Sequence, residues 1–203
     1  MLENDYKHIA KVTKKRRVFF EANTAEAVWR DVVEKDSQSI EELCKAMSHV
    51  VYGVGVPKFI VNLGAKFLYN AFYKPWGHYT DESDYLASKC SNVSSSMMAF
   101  LQRQYTLAHM GCSVTMVWDE KSEEMLCFRS LDWKAANDIA YATRHFSFVN
   151  AKGEEIAQVA GITAMLGVLT CVKKGFSIAI NYAPWKKSAR FKSDPTFLIR
   201  KLP

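Results

Sequence analysis

Residues 111–133 read GCSVTMVWDEKSEEMLCFRSLDW and decide the fold. Two runs rich in β-branched and aromatic residues flank the polar turn DEKSE at 119–123, a pattern typical of a β-hairpin. The pattern predicts two further hairpins: HFSFVN and IAQVAGI around AKGEE, then AMLGVLTCV and FSIAINYA around KKG. Because consecutive hairpins pair antiparallel, the second half of the chain is predicted to form an antiparallel sheet.

Before residue 111 the apolar residues recur mainly at helical spacing. The run NTAE from Asn23 predicts a capping box that opens a helix to about Lys35, and a second helix is predicted from Ser39. A third is predicted from Ser94 to Met110, and a short strand at His8–Val12. An N-terminal helical segment followed by an antiparallel sheet predicts an α+β fold.

The composition is that of an ordinary globular protein. The chain has 203 residues, of which 49% are apolar and 24% charged, and this excludes disordered and low-complexity classes. The net charge is +6, and much of the excess lies in residues 173–203. That tail and the run KKRR at 14–17 leave nucleic-acid binding as an alternative, but no recognition motif accompanies the charges, so no nucleic-acid partner is expected.

The cysteines and histidines show no metal-ligand spacing. The five cysteines lack a CxxC pair, and the five histidines lack HxH or HExxH spacing, so the sequence predicts neither a metal site nor a cofactor. An odd number of cysteines predicts at least one free thiol. The N-terminus has no apolar segment of a secretory signal, which by sequence predicts a cytoplasmic location.

Residues 54–77, VGVPKFIVNLGAKFLYNAFYKPWG, carry an apolar stripe that includes Phe59, Leu63 and Phe67. Lysines interrupt the segment, which is too short and too charged to span a bilayer. Two interpretations stay open. The stripe belongs to a core helix, or it contacts a membrane surface with the lysines toward the headgroups.

Three residues of the first hairpin form a candidate catalytic group. Cys112 opens the first strand, and Arg129 and Asp132 lie at the end of the second, so the hairpin register brings them near Cys112. An arginine near a cysteine favours the thiolate, and an aspartate orients an amine or a water. The structural alternatives are a small buried cysteine and a surface ion pair.

The runs CSVTMVWD and EMLCFRSLDW resemble the signature of the acid ceramidase and N-acylethanolamine-hydrolysing acid amidase family, within the choloylglycine hydrolase-like N-terminal nucleophile hydrolases. Residues 81–111 are similar to the paired helices before the nucleophile, and 160–183 to the glycine-punctuated hairpin after it. The resemblance implies a partial αββα sandwich. Residues 1–111 would be a pro-segment or α-subunit, and 112–203 the start of the β-subunit.

The resemblance also implies a reaction. Self-cleavage between Gly111 and Cys112 would make Cys112 an N-terminal thiol nucleophile, with Arg129 and Asp132 in the paired arginine and aspartate positions. The expected substrates are lipid-like N-acyl amides, such as a ceramide or an N-acylethanolamine. The family analogy points to the lysosome, and its surface helices to a peripheral membrane contact through Phe59, Leu63 and Phe67.

The sequence departs from the family pattern in places. Ser130 stands where the family usually has asparagine, and nothing in 184–203 matches the later asparagine that completes the oxyanion hole. The chain is therefore expected to be a C-terminally truncated member. The alternative is an inactive or degenerate member that binds lipid or a partner.

Overall fold

The computed structural model describes residues 15–53, 55–74, 79–103, 111–132, 136–163, 165–173, 175–181 and 195–200. These residues form seven strands and six α-helices. In chain order they are β1 (Lys15–Phe19), α1 (Ala25–Tyr52), α2 (Lys58–Leu68), α3 (Thr80–Ser88), α4 (Ser95–Leu101), β2 (Gly111–Asp119), β3 (Glu124–Asp132), α5 (Ala136–Ala142), β4 (Thr143–Val149), β5 (Glu155–Ile162), β6 (Thr170–Lys173), β7 (Phe176–Ala179) and α6 (Pro195–Arg200). A π-helical turn, Tyr69–Tyr73, extends α2.

The strands form two sheets, and the α+β class predicted from the sequence is confirmed. One sheet has five strands in the order β1-β4-β5-β6-β7, and the other is the β2-β3 hairpin. All three predicted hairpins are present as antiparallel pairs. Gly153 and Gly175 adopt positive φ angles of 81° and 94° in two of the turns, a conformation that favours glycine.

The strands after residue 111 pair antiparallel as predicted, but the larger sheet is mixed because a strand from the first half of the chain, which the sequence did not indicate, joins its edge. β1 pairs parallel with β4, from Lys15 opposite His145 to Phe19 opposite Val149. β1 precedes the helices and β4 follows them, and a long crossover of this kind is what parallel pairing requires. The short strand predicted at His8–Val12 lies outside the described residues.

The helix predicted from Asn23 to about Lys35 and the helix predicted from Ser39 together form α1. Asp36 lies between them with non-helical angles of φ −130° and ψ 18° and marks a kink. The N-cap is Thr24 and not Asn23, because the Thr24 hydroxyl accepts the backbone N–H of Ala27 at 3.2 Å. The helix predicted from Ser94 begins there, with Ser94 as the N-cap of α4, but it ends at Leu101 and Gln102 is its C-cap, so the predicted length to Met110 is wrong. Residues 104–110 lie outside the described part.

One core joins the helices to the five-stranded sheet. Val18 of β1, Ile40 of α1 and Leu86 of α3 are fully buried in the same cluster as Phe146 of β4. The regions 1–111 and 112–203 therefore share a sheet and a core. Their relation as two parts of a processed precursor stays a prediction.

Asp36 joins the kink of α1 to two strands through a buried ion cluster. Its carboxylate accepts Nε of Arg16 from β1, Nη2 of Arg16 at 3.0 Å and Nε of Arg144 from β4 at 2.9 Å. Arg144 also donates to the Ser39 hydroxyl at 3.0 Å. All three charged residues are buried. One carboxylate therefore holds two buried guanidinium groups at the junction of α1, β1 and β4.

The short helix α6 packs on the helical side of the core. Arg200 is 1% exposed, donates to Glu82 at 2.6 Å and lies 4.2 Å from the ring centroid of Tyr79. A Cβ on Gly167 would lie 2.2 Å from the Thr196 hydroxyl oxygen, so this approach of chain to helix requires glycine.

Glu155 gives the sheet a predictable dependence on pH. Hydrogen bonds from Ser147, from Gln158 and from Lys15 lower the pKa of Glu155 from 4.5 to about 2, with Ser147 the largest cause. A lowered pKa stabilises the fold above the unfolded-state pKa, and that contribution is lost as pH falls from about 4.5 to about 2. We expect the unfolding free energy of Glu155→Gln to be lower than that of the wild-type chain at pH 6 and to converge with it near pH 2.

Chemical denaturation over this pH range measures the difference. Glu120→Gln, which changes an exposed carboxylate in the β2-β3 turn, is the matched control. An equal pH-dependent difference in the Glu120 variant would contradict the assignment to Glu155.

Candidate active site

The register of the β2-β3 hairpin brings the backbones of the three predicted catalytic residues together. Gly111 lies opposite Asp132, Cys112 opposite Leu131, and Val114 opposite Arg129. Cys112 and Arg129 are therefore diagonal neighbours on one face of the hairpin. The backbone of Asp132 lies across from the Gly111–Cys112 peptide bond, and its side chain is outside the described part.

Cys112 and Arg129 contact the same main-chain oxygen. The Cys112 thiol lies 3.6 Å from the carbonyl oxygen of Ile180, which follows β7. Nη2 of Arg129 donates to the same carbonyl. The thiol and the guanidinium thus converge on one point at the end of the five-stranded sheet.

Arg129 also attaches the hairpin to the start of β6. Its Nη1 donates to the carbonyl of Leu169 at 2.6 Å and to the hydroxyl of Thr170 at 2.9 Å. The N–H of Ile180 donates to the same Leu169 carbonyl at 3.0 Å, so the arginine bridges two strands that are already joined. Nε of Arg129 is buried and has no partner among the described residues.

Sequence reasoning missed the groups that hold the arginine. Thr170 lies 41 positions from Arg129 along the chain, and the other two acceptors are main-chain carbonyls. Every residue carries a carbonyl, so no side-chain pattern marks these two. The hydroxyl of Thr170 lies in a predicted strand, where threonine is common for its β propensity.

Burial separates the five cysteines into two groups. Cys44, Cys90 and Cys171 are buried, whereas Cys112 and Cys127 are half-buried. Burial raises the pKa of the Cys171 thiol, and a hydrogen bond with Cys90 followed by burial raises the pKa of Cys44. A buried thiol with a raised pKa, as at Cys44 and Cys171, is a poor nucleophile. Cys112 and Cys127 are the two cysteines with side chains open to solvent.

The apolar stripe of α2 faces solvent. Phe59, Leu63 and Phe67 are 70%, 66% and 64% exposed, and Ala65 is the one buried residue of this helix. The interpretation of the stripe as a core face is therefore wrong, because Phe59, Leu63 and Phe67 are mostly exposed while Ala65 is buried. No helix in the described part of the chain is both long and apolar enough to cross a bilayer.

The hairpin exposes large apolar side chains as well. Trp118 and Met125, which pair across its two strands, are each 55% exposed, and Phe128 is 57% exposed. The hairpin makes no strand pairing with the larger sheet among the described residues. Its tip carries acidic residues, whereas α2 carries lysines.

No protein-family model matches this sequence, and no curated protein matches it either. The likeness to the acid amidase family thus depends on the residues of the chain itself. Chief among them are Cys112, Arg129 and Asp132 with their spacing.

Proposed function

We propose that this chain is the nucleophile-bearing part of a cysteine N-terminal nucleophile amidase that hydrolyses lipid-like N-acyl amides. Self-cleavage between Gly111 and Cys112 would activate it. The observation that carries the proposal is the convergence of the Cys112 thiol and the Arg129 guanidinium on the Ile180 carbonyl. The pairing of Gly111 with Asp132 supports it, because it brings the proposed orienting residue beside the bond to be cut.

The proposed reaction uses the α-amine that cleavage would release. Hydrolysis of the Gly111–Cys112 bond consumes one water and leaves a free amine on Cys112. Such an amine has a reference pKa of about 7.7–8.0, which suits a general base near neutrality. Before cleavage this nitrogen is a peptide amide and accepts no proton. Processing would therefore act as the activating step.

Turnover then proceeds in two stages. The amine, oriented by Asp132, takes the thiol proton, and the sulfur attacks the substrate amide carbon. The C–N bond breaks, the protonated amine product leaves, and a thioester joins the acyl chain to Cys112. Water hydrolyses the thioester and restores the thiol. The guanidinium of Arg129 supplies positive charge beside the sulfur.

Intact mass and turnover test the proposal together. The purified chain is incubated at mildly acidic and at neutral pH, and its mass is compared with those of fragments 1–111 and 112–203. Hydrolysis of a fluorogenic N-acyl amide is measured on the same samples. We expect cleavage to precede turnover. An uncut chain without turnover at either pH would contradict the proposal.

A second candidate function is lipid binding without catalysis, by a family member with an incomplete site. The exposed stripe of α2 favours it, because three large apolar side chains at 64–70% exposure are adjacent on one helix. Both candidates use the same contact. In each, Phe59, Leu63 and Phe67 insert into the surface of a membrane while the helix lies in its plane.

Replacing Phe59, Leu63 and Phe67 by aspartate is expected to abolish vesicle binding. Each apolar side chain contributes about 1.5–3 kcal/mol when removed from water, so the triple variant loses at least about a hundredfold in partitioning. Co-sedimentation with anionic liposomes measures the effect. Raising the salt concentration is expected to weaken binding of the wild-type chain, because screening acts on the lysine contribution.

The control is Phe176→Asp, which changes an apolar side chain that is 45% exposed on β7. It should leave vesicle binding within about twofold of wild type, since β7 is not part of the proposed contact. Equal losses in the triple variant and in the Phe176 variant would refute a contact specific to α2.

A further inference from the structure

A polar cleft lies beside the exposed face of α2. Its volume is about 590 Å³, and it opens between the end of α1, α2 and the start of α4. Among its described lining residues, all but Met97 carry a hydroxyl, an amide or an amine. Lys66 is the charged member, and Tyr52, Asn62 and Asn70 are close to it along the wall. The cleft therefore offers several hydrogen-bond donors and one positive charge.

A smaller pocket of about 160 Å³ continues this cleft, because Tyr52 and Asn92 line both. Its other described lining residues include Lys45, His49 and Lys58. The amine of Lys58 lies 5.4 Å from the ring centroid of Tyr52. The two pockets together form one polar groove, called here the basic groove.

Helical spacing puts the basic groove against the apolar stripe. Asn62 and Lys66 are four residues apart and share one side of α2, and Asn70 lies in the π-helical turn that extends the helix. Phe59, Leu63 and Phe67 follow the same spacing on the adjoining side. At about 100° per residue, Lys66 is about 20° from Phe59 around the helix. A molecule in the groove is therefore in reach of the exposed apolar side chains.

The charges around the groove favour an anion. Residues 53–80 contain three lysines and no acidic residue. Glu41 lines the smaller pocket and its carboxylate accepts the Ser91 hydroxyl. Among the described lining residues of the groove, however, Lys45, Lys58 and Lys66 outnumber this one negative charge. Asp84 is not a lining residue and accepts the Tyr69 hydroxyl at 2.8 Å. Burial and then this hydrogen bond raise the pKa of Tyr69 to about 12, so the phenol remains a donor.

We propose that the basic groove binds the phosphate-bearing headgroup of an anionic phospholipid in a membrane. Lys66 in the cleft and Lys58 in the smaller pocket would supply the positive charge that attracts the phosphate, and the groove's amides and hydroxyls would bond the rest of the headgroup. The acyl chains would lie beside Phe59, Leu63 and Phe67. A lipid fits better than a free phosphate because the anion-binding groove and the apolar stripe adjoin. The inference depends on the proposed lipid contact of α2 and not on amidase activity.

The test compares vesicles of phosphatidylcholine with vesicles that also contain phosphatidylglycerol, using the full chain. The double variant Lys58→Gln with Lys66→Gln is expected to bind the anionic vesicles about thirtyfold more weakly. Lys121→Gln with Lys152→Gln makes the same charge change at two exposed turns and should bind within about twofold of wild type. Thermal melting of each variant checks that it folds.

A neutral substitution distinguishes a specific headgroup-binding site from nonspecific electrostatic attraction to the membrane. Asn70→Ala keeps the net charge and removes one headgroup donor, so it should lower the preference for anionic vesicles at least about threefold. Equal binding of neutral and anionic vesicles, or equal losses in the two double-lysine variants, would overturn the proposal. Release from vesicles by inorganic phosphate at the phospholipid's own concentration would indicate a free-phosphate site and also overturn it.

The experiment distinguishes this inference from the proposed function. If the aspartate variant of the α2 stripe loses binding while the groove variants keep it, the groove inference fails and the membrane contact remains. If no vesicle binds the wild-type chain, both fail. Amide hydrolysis is measured separately, so its absence leaves the groove result unchanged.

Discussion

Cys112→Ala is expected to abolish both cleavage at Gly111–Cys112 and amide turnover. The thiol is the proposed nucleophile, and alanine has no atom that forms a thioester. Removing a nucleophile from a catalytic group typically lowers the rate by roughly 10⁴-fold or more. The side chain is small and half-buried, so its loss should leave the fold intact. Intact mass and a fluorogenic amide assay measure the two effects.

Cys127→Ala is the matched control. Cys127 lies in β3 opposite Met116, is also half-buried, and is on the same face of the hairpin as Cys112. The Cys127 variant should be cut and should turn over substrate like the wild-type chain. Turnover that persists in Cys112→Ala would remove the basis for a thiol nucleophile at this position.

Asp36→Asn is expected to destabilise the fold strongly. The asparagine side chain would keep the shape of the aspartate but leave Arg16 and Arg144 without their shared negative charge. Those arginines are 7% and 3% exposed, and an uncompensated buried charge costs about 3–5 kcal/mol. The unfolding free energy of the variant, measured by urea denaturation, should fall by that amount.

Two comparisons isolate the charge. Glu34→Gln changes an exposed carboxylate on the same helix and should lower the unfolding free energy by less than about 0.5 kcal/mol. Adding Arg16→Met to Asp36→Asn removes one of the two buried cations that lose the charge of Asp36. Part of the lost unfolding free energy should therefore be recovered. If the double variant has a lower unfolding free energy than Asp36→Asn, the loss in Asp36→Asn does not come from uncompensated buried charge.

The hairpins were predictable because their signals are local. Alternating apolar residues mark each strand, and glycines such as Gly153 and Gly175 mark turns that need a positive φ angle. The register of the first hairpin follows from its turn, which is why the proximity of Cys112 to Arg129 was visible in the sequence. The sequence also indicated an interruption near Asp36, since the helical pattern breaks between Lys35 and Ser39.

The errors in prediction concern long-range partners. β1 pairs with β4 across about 120 intervening residues, and nothing in the run KRRVF itself indicates a parallel neighbour. The stripe of α2 has the spacing of a core helix, yet its large side chains face solvent. Amphipathic spacing shows that one face of a helix is apolar, but it does not indicate what covers that face.

Local patterns in the sequence specify the α+β class, the three hairpins, the N-caps Thr24 and Ser94 to within one position, and the proximity of Cys112 and Arg129 in the first hairpin. All of these depend on residues within about twenty positions of one another, where periodicity and turn chemistry act. Long-range packing instead determines that Arg129 and Cys112 contact the carbonyl of Ile180, that β1 pairs parallel in the sheet, and that α2 exposes its apolar stripe to solvent. Those outcomes depend on which distant surfaces are buried together, and burial is a property of the whole chain.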